Sequence, residues 1–281
     1  MRTSVTHAGK TSRDENFPVG SVLLTARLRP HVAIFYRLAR EADDIADSPA
    51  LDAGQKLVRL DRYDRALRGE LAAEILPESA RAAAASAAET GVSLRHATDL
   101  LAAFRQDAVK ERYDSWGDLM AYCALSASPV GRFLLDLHGE NEDLYRLCDP
   151  LCDALQVMNH LQDLKEDYRM LGRVYLPADW MSEYGASLED LGGRAATPGL
   201  RAAIDRCLDG CEALLNRARN LPAQLHSRRL AMETAVIVRL ADRLLRRLRE
   251  EDPIAGRVNL SKIDFALCGV RGIAAGFFRC R

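Results

Sequence analysis

The chain has no run of 18 apolar residues, so no bilayer-spanning helix is expected. Its first residues, MRTSVTHAGKTSRDENF, lack the apolar centre of a secretory signal, and the cytoplasm is the expected compartment. Aromatic residues make up only 6% and strand-forming runs are scarce, while Ala, Leu, Arg and Glu dominate; that composition favours an all-α fold. Neither charge sign is in excess: 39 basic against 40 acidic residues give a net charge of −1 and no field to draw in nucleic acid. The Gly-x-Gly-x-x-Gly fingerprint is missing, so no NAD(P)H is expected. The seven cysteines are scattered and odd in number, which points to reduced thiols. Cys148/Cys152 and Cys207/Cys211 are each four apart, but no histidine stands nearby at ligand spacing. They read as core thiols rather than a zinc site.

With 281 residues, 48% of them hydrophobic, the chain can bury a sizeable core. Residues 1–15 read as a polar, loosely ordered arm, and residues 16–281 as one helical domain. A turn at 16–21 leads into a first helix, with a break at Pro30. Helices are expected over 31–47, 51–70 and 79–89, and in two pieces over 115–139 parted at Ser128-Pro129. A long helix over 142–170 is closed by Gly172, a loop with short helices spans 178–200, and helices follow over 199–219 and 227–250. The apolar, basic end from Phe265 reads as a last core helix, with a membrane-touching surface as the alternative.

Residues 156–177 read QVMNHLQDLKEDYRMLGRVYLP. Gln156, Asn159, Asp163 and Asp167 fall at offsets of 3, 4 and 4, which puts them on one helix face amid apolar neighbours. Buried carboxylates need partners, and hard cations such as Mg²⁺ prefer carboxylate oxygens. The plainer alternative is a surface stripe paired with Lys165 or Arg169. A second DxxxD pattern lies at FYRLAREADDIAD, where Asp43 and Asp47 are four apart, Asp44 is beside them and Arg40 is one turn earlier. Carboxylates near a helix C-terminus are disfavoured by the macrodipole unless cations offset them. Arg40 could equally pair with Asp43 or Asp44. Two such faces meeting across a cleft would hold several Mg²⁺ ions and stabilise a departing diphosphate.

The pair DDIAD and NHLQDLKED, followed by GRVYLP, resembles the squalene/phytoene synthase family, the head-to-head prenyl synthases, over most of the chain from about 16 to 281. ENFPVGS, YCALSASPVGRFLLDLHGE and LSKIDFALCGVRG look most like the hydroxysqualene-forming branch of the bacterial hopanoid pathway. The resemblance implies an isoprenoid synthase helical bundle around a central cavity. It implies two or three Mg²⁺ ions held by Asp43, Asp44, Asp47, Asn159, Asp163 and Asp167, with no NAD(P)H. Asp43, Asp47, Asp163, Asp167 and Tyr122 are the implied catalytic set. Phe17, Tyr36, Arg40, Gln156, Asn159, Arg173 and Tyr175 would bind a prenyl diphosphate. Other enzymes of the hopanoid pathway and the inner membrane face are the implied surroundings. Many members have Arg where this chain has Gln162, a lost cation that bears on which diphosphate is bound. Squalene, dehydrosqualene or phytoene synthesis, and a non-catalytic isoprenoid binder, are the competing readings. The intact aspartates weigh against the binder.

Overall fold

The structure, a computed structural model, describes residues 23–72 and 76–278. The polar arm and Phe17 lie outside the described residues. The chain folds as α1 (Arg29–Ala46), α2 (Ala53–Leu67), α3 (Glu78–Thr90), α4 (Arg95–Asp107), β1 (Arg112–Tyr113), α5 (Trp116–Ser126) and α6 (Ser128–Leu137). It continues with α7 (Tyr145–Leu171), β2 (Val174–Pro177), α8 (Ala178–Glu183), α9 (Pro198–Ala218), α10 (Leu221–Gln224), α11 (Arg228–Glu250) and α12 (Lys262–Phe278). The fold is all-α; the helix expected ahead of Pro30 is not found among the described residues, where 23–28 form turns, and the other expected helices are present.

Local chemistry explains the boundaries. Pro30 opens α1 at its first turn, where a missing N–H costs nothing, instead of breaking a helix. Asp52 and Gln55 form a capping box on α2, and the hydroxyls of Ser115, Thr197 and Ser227 cap α5, α9 and α11. Gly172 ends α7 with φ +69°, a conformation that favours glycine.

α7 is central, packing against α5, α6, α9 and α11. Its buried side, Leu151, Ala154, Val157, Met158, Leu161 and Leu164, belongs to the main core. Cys148, Cys207 and Cys211 are buried in that core, as expected of core thiols. The other side of α7 carries Gln156, Asn159, Asp163 and Asp167, and, like them, Cys152 is partly exposed.

The strands were not expected. β1 and β2 pair in parallel, with Arg112 opposite Val174, and the Val174 N–H donates to the Glu111 carbonyl at 2.9 Å. This short pairing fixes the direction in which the chain leaves α7. The expectation of a last core helix is corrected: α12 packs mainly on α11, and Ile263, Leu267 and Val270 form an exposed apolar face. Among the described residues no helix is long and apolar enough to cross a membrane.

Candidate active site

The first acidic motif ends α1. Tyr36, Arg40, Asp43 and Asp47 follow one another at offsets of 4, 3 and 4 along one face, opposite the buried Phe35, Leu38 and Ala42. Arg40 forks over the motif, 3.0 Å from Asp43 and 2.7 Å from Asp44. Both sequence alternatives for Arg40 are therefore realised together. Asp43 keeps about a third of its side chain accessible (34%), although protein closes around it. Burial first, then the Asp47 carboxylate, push its pKa up to about 7, against the pull of Arg40.

The bond across the site comes from the segment after α7. Arg173 Nη1 donates to Asp47 Oδ1 at 2.6 Å, and Nη2 donates to the Ala46 carbonyl at 3.0 Å. A guanidinium thus offsets the negative helix end that the macrodipole argument singled out. Burial opposes its charge, and the neighbouring Tyr175, Asp107 and Asp47 hold its pKa above the ordinary arginine value.

Beneath this lies a residue for which the sequence gave no hint. Asp107, at the end of α4, accepts hydrogen bonds from the Tyr122 hydroxyl at 2.8 Å and the Tyr175 hydroxyl at 3.1 Å. Burial pushes its pKa up to about 6, against Arg173 and the two hydroxyls. Burial, and then Asp107, raise both tyrosines well above the usual phenol value. Tyr113 packs 5.4 Å from Tyr175 and 5.3 Å from Tyr122, completing an aromatic floor.

His160 connects the floor to the second motif. Its ring stacks on Tyr175 at 3.5 Å between centroids. Nε2 accepts from the Gln156 amide at 3.0 Å, and Nδ1 lies 3.7 Å from Asp167. His160 lies seven residues before Asp167 and four after Gln156, so the stripe's own spacing could have revealed it. Asn159 sits half-buried one turn before Asp163. Asp163 is held by a forked pair with Arg257, at 2.5 and 3.2 Å. The expected alternative partners do not reach it: Lys165 bonds the carbonyls of Gly193 and Ile254, and Arg169 that of Gly192. Gln162 is 2% exposed and turned toward the Val258 carbonyl.

Both acidic motifs therefore border one polar region, linked through Arg173, Asp107, Tyr175 and His160. Phe17 alone of the expected site residues has no place in the described structure. The region suits a divalent cation: burial first, and then the Asp47 carboxylate, raise the Asp43 pKa, buried Asp107 lies close by, and Arg40 and Arg173 are the neighbouring cations. Among the described residues no three His, Cys, Asp or Glu side chains could enclose an ion by themselves. A hard cation that takes most of its shell from water and phosphate oxygens fits such a donor set.

Comparison with known proteins points the same way. The squalene/phytoene synthase family profile matches residues 10–264. The hydroxysqualene synthase of Rhodopseudomonas palustris is 43% identical over 97% of this chain and 92% of its own length. That of Zymomonas mobilis is 42% identical over 92% of this chain and 86% of its own. The crystal structure of a squalene synthase from Alicyclobacillus acidocaldarius superposes with a TM-score of 0.72 at 34% identity, covering 83% of this chain and 87% of that one. A ligand-bound dehydrosqualene synthase gives a TM-score of 0.79 at 22% identity, covering 92% and 91%, a likeness of fold. With its paired aspartate faces and this breadth of similarity, the chain belongs to the squalene/phytoene synthase family and is an enzyme of the head-to-head prenyl synthase type.

Proposed function

We propose that the enzyme converts presqualene diphosphate and water to hydroxysqualene and diphosphate, with Mg²⁺ as its divalent cation. The observation that carries the reading is the Arg173–Asp47 bond, which draws the end of the first acidic face to the segment leaving the second. The relatives at 40–43% identity are named hydroxysqualene synthases, which supports hydroxysqualene as the product.

Asp43, Asp44 and Asp47 on one side, and Asn159, Asp163 and Asp167 on the other, would hold the cation. When bound it would neutralise the diphosphate and make it a better leaving group. Arg40 and Arg173 would bind the departing oxygens as preorganised donors, needing little rearrangement as charge develops. Tyr36, Gln156 and Tyr175 would orient the diphosphate end, and Tyr122 the carbon skeleton beside it. The aromatic floor would help exclude bulk water until the carbocation has rearranged. A water then forms the C–O bond, and its proton leaves to solvent or diphosphate.

The exposed face of α12 supports peripheral contact with a membrane that receives the apolar product. Unchanged vesicle binding by Leu267→Glu would count against that contact.

Incubation with presqualene diphosphate and Mg²⁺ is expected to release diphosphate and give hydroxysqualene by mass spectrometry. EDTA should stop it. Squalene, dehydrosqualene or phytoene formed from farnesyl or longer diphosphates would replace this reading with a condensing synthase. No release from any prenyl diphosphate would leave a binding protein.

A further inference from the structure

Three nearby side chains of α7 grip the segment that joins α11 to α12. Lys165 Nζ donates to the Ile254 carbonyl at 2.9 Å and to the Gly193 carbonyl at 2.7 Å. The Gln162 amide donates to the Val258 carbonyl. Between these two fastenings sits Arg257, whose guanidinium forks onto Asp163. The segment is braced from its own side as well. Asp252 accepts from the N–H groups of Ile254 and Ala196, and the Asn259 side chain bonds both the Arg257 guanidinium and its carbonyl. Ile254 and Val258 are buried, so the strap cannot shift without exposing them.

Gln162 therefore does more than lack a charge. At 2% exposure, beside buried Val258, an amide costs far less than a guanidinium and still satisfies a backbone carbonyl. The cation absent at position 162 arrives from 257 instead. Burial works against the Arg257 charge, yet Asp163, Glu166 and Asp167 together hold its pKa above the ordinary value.

We propose that Arg257 is a resident cation that occupies Asp163 until a divalent cation takes that carboxylate, and that Gln162 is the positioning residue that seats it. The proposal rests on reading the two aspartate faces as a divalent-cation site. Its physical content is competition. A forked, partly buried ion pair must open before Asp163 can ligate, so the pair lowers cation affinity in the absence of diphosphate.

The test is Mn²⁺ binding to the full chain without any diphosphate, followed by electron paramagnetic resonance. Arg257→Gln is expected to bind Mn²⁺ roughly three- to tenfold more tightly than wild type, as loss of such a pair implies. Arg257→Lys, which keeps the charge but not the fork, should fall between them. Adding Asp163→Asn to Arg257→Gln should abolish the gain. Gln162→Leu should shift Mn²⁺ affinity in the same direction and raise hydrogen exchange over residues 253–260. A purely structural arginine would change the melting temperature and leave Mn²⁺ affinity alone. Equal or weaker binding by Arg257→Gln overturns the proposal, as does a gain that survives loss of Asp163. No Mn²⁺ binding by wild type or Arg257→Gln without diphosphate overturns this proposal, whereas no Mn²⁺ binding in the presence of diphosphate either overturns the cation-site reading, which separates the two failures.

Discussion

Arg173 and Asp47 are 126 residues apart in sequence and 2.6 Å apart in space. The same guanidinium bonds the Ala46 carbonyl, so one buried side chain neutralises a helix end and joins it to the chain beyond the second acidic motif. Arg173→Gln removes the charge and the fork from a site where Asp47 remains. It should lower stability by about 2–4 kcal/mol, because a partner charge is left unpaired. It should also cut diphosphate release by at least about 100-fold, as loss of a transition-state donor does. Arg173→Lys keeps one contact and should recover stability more than activity. Thermal melts and diphosphate release check both; full activity in Arg173→Gln would remove Arg173 from the site.

Asp107 ties two hydroxyls together in a buried place. Asp107→Asn can still accept one of them and should fold with slowed turnover. Asp107→Leu leaves both hydroxyls without their acceptor and should cost about 2–4 kcal/mol. Urea unfolding separates the two variants. Equal stability would mean that water replaces the carboxylate.

Why Asp107 stayed hidden while Arg173 did not is a matter of spacing. The paired aspartates repeat along one helix, so a 3- and 4-residue rhythm makes them visible in the sequence. Arg173 and Tyr175 follow a glycine that closes a helix, and GRVYLP has a form of its own. Asp107 is a single acid at the end of a helix, brought into the site by tertiary packing, and no local pattern marks it. Arg257 is likewise fixed by a contact 94 residues away. The β1–β2 pair has too few residues to show an alternation. The α12 expectation failed because an apolar helix looks alike whether it is buried or lies on the surface.

Asp153 gives a pH signature away from the cation site. It accepts from the Ser128 hydroxyl at 2.9 Å, and burial pushes its pKa up to about 6, from an ordinary value of about 3.9. The folded state thus binds the proton more tightly than the unfolded chain. Its contribution to stability is fully present below about pH 4 and lost as pH rises through about 6. Asp153→Asn, which keeps an acceptor for Ser128 and carries no charge, should match wild type near pH 4. Above about pH 7 it should melt roughly 2–5 °C higher. A gain that is the same at every pH would show that the effect is packing rather than ionisation.

Gly131 faces two sulfurs across the α6–α7 contact. A Cβ placed there would lie 2.5 Å from the Sγ atoms of both Cys148 and Cys152, closer than such atoms approach. Helix propensity alone would make Gly131→Ala stabilising by up to about 1 kcal/mol. The clash should reverse the sign, to a loss of about 1–3 kcal/mol as the helices part or the thiols turn. Cys152 is the softer neighbour because it is partly exposed while Cys148 is buried, so Cys152→Ala should recover part of the loss and Cys148→Ala less. A double-mutant cycle by urea unfolding measures the coupling, which should exceed about 0.5 kcal/mol for residues in contact. Additive effects would mean that the helices accommodate the methyl by moving apart.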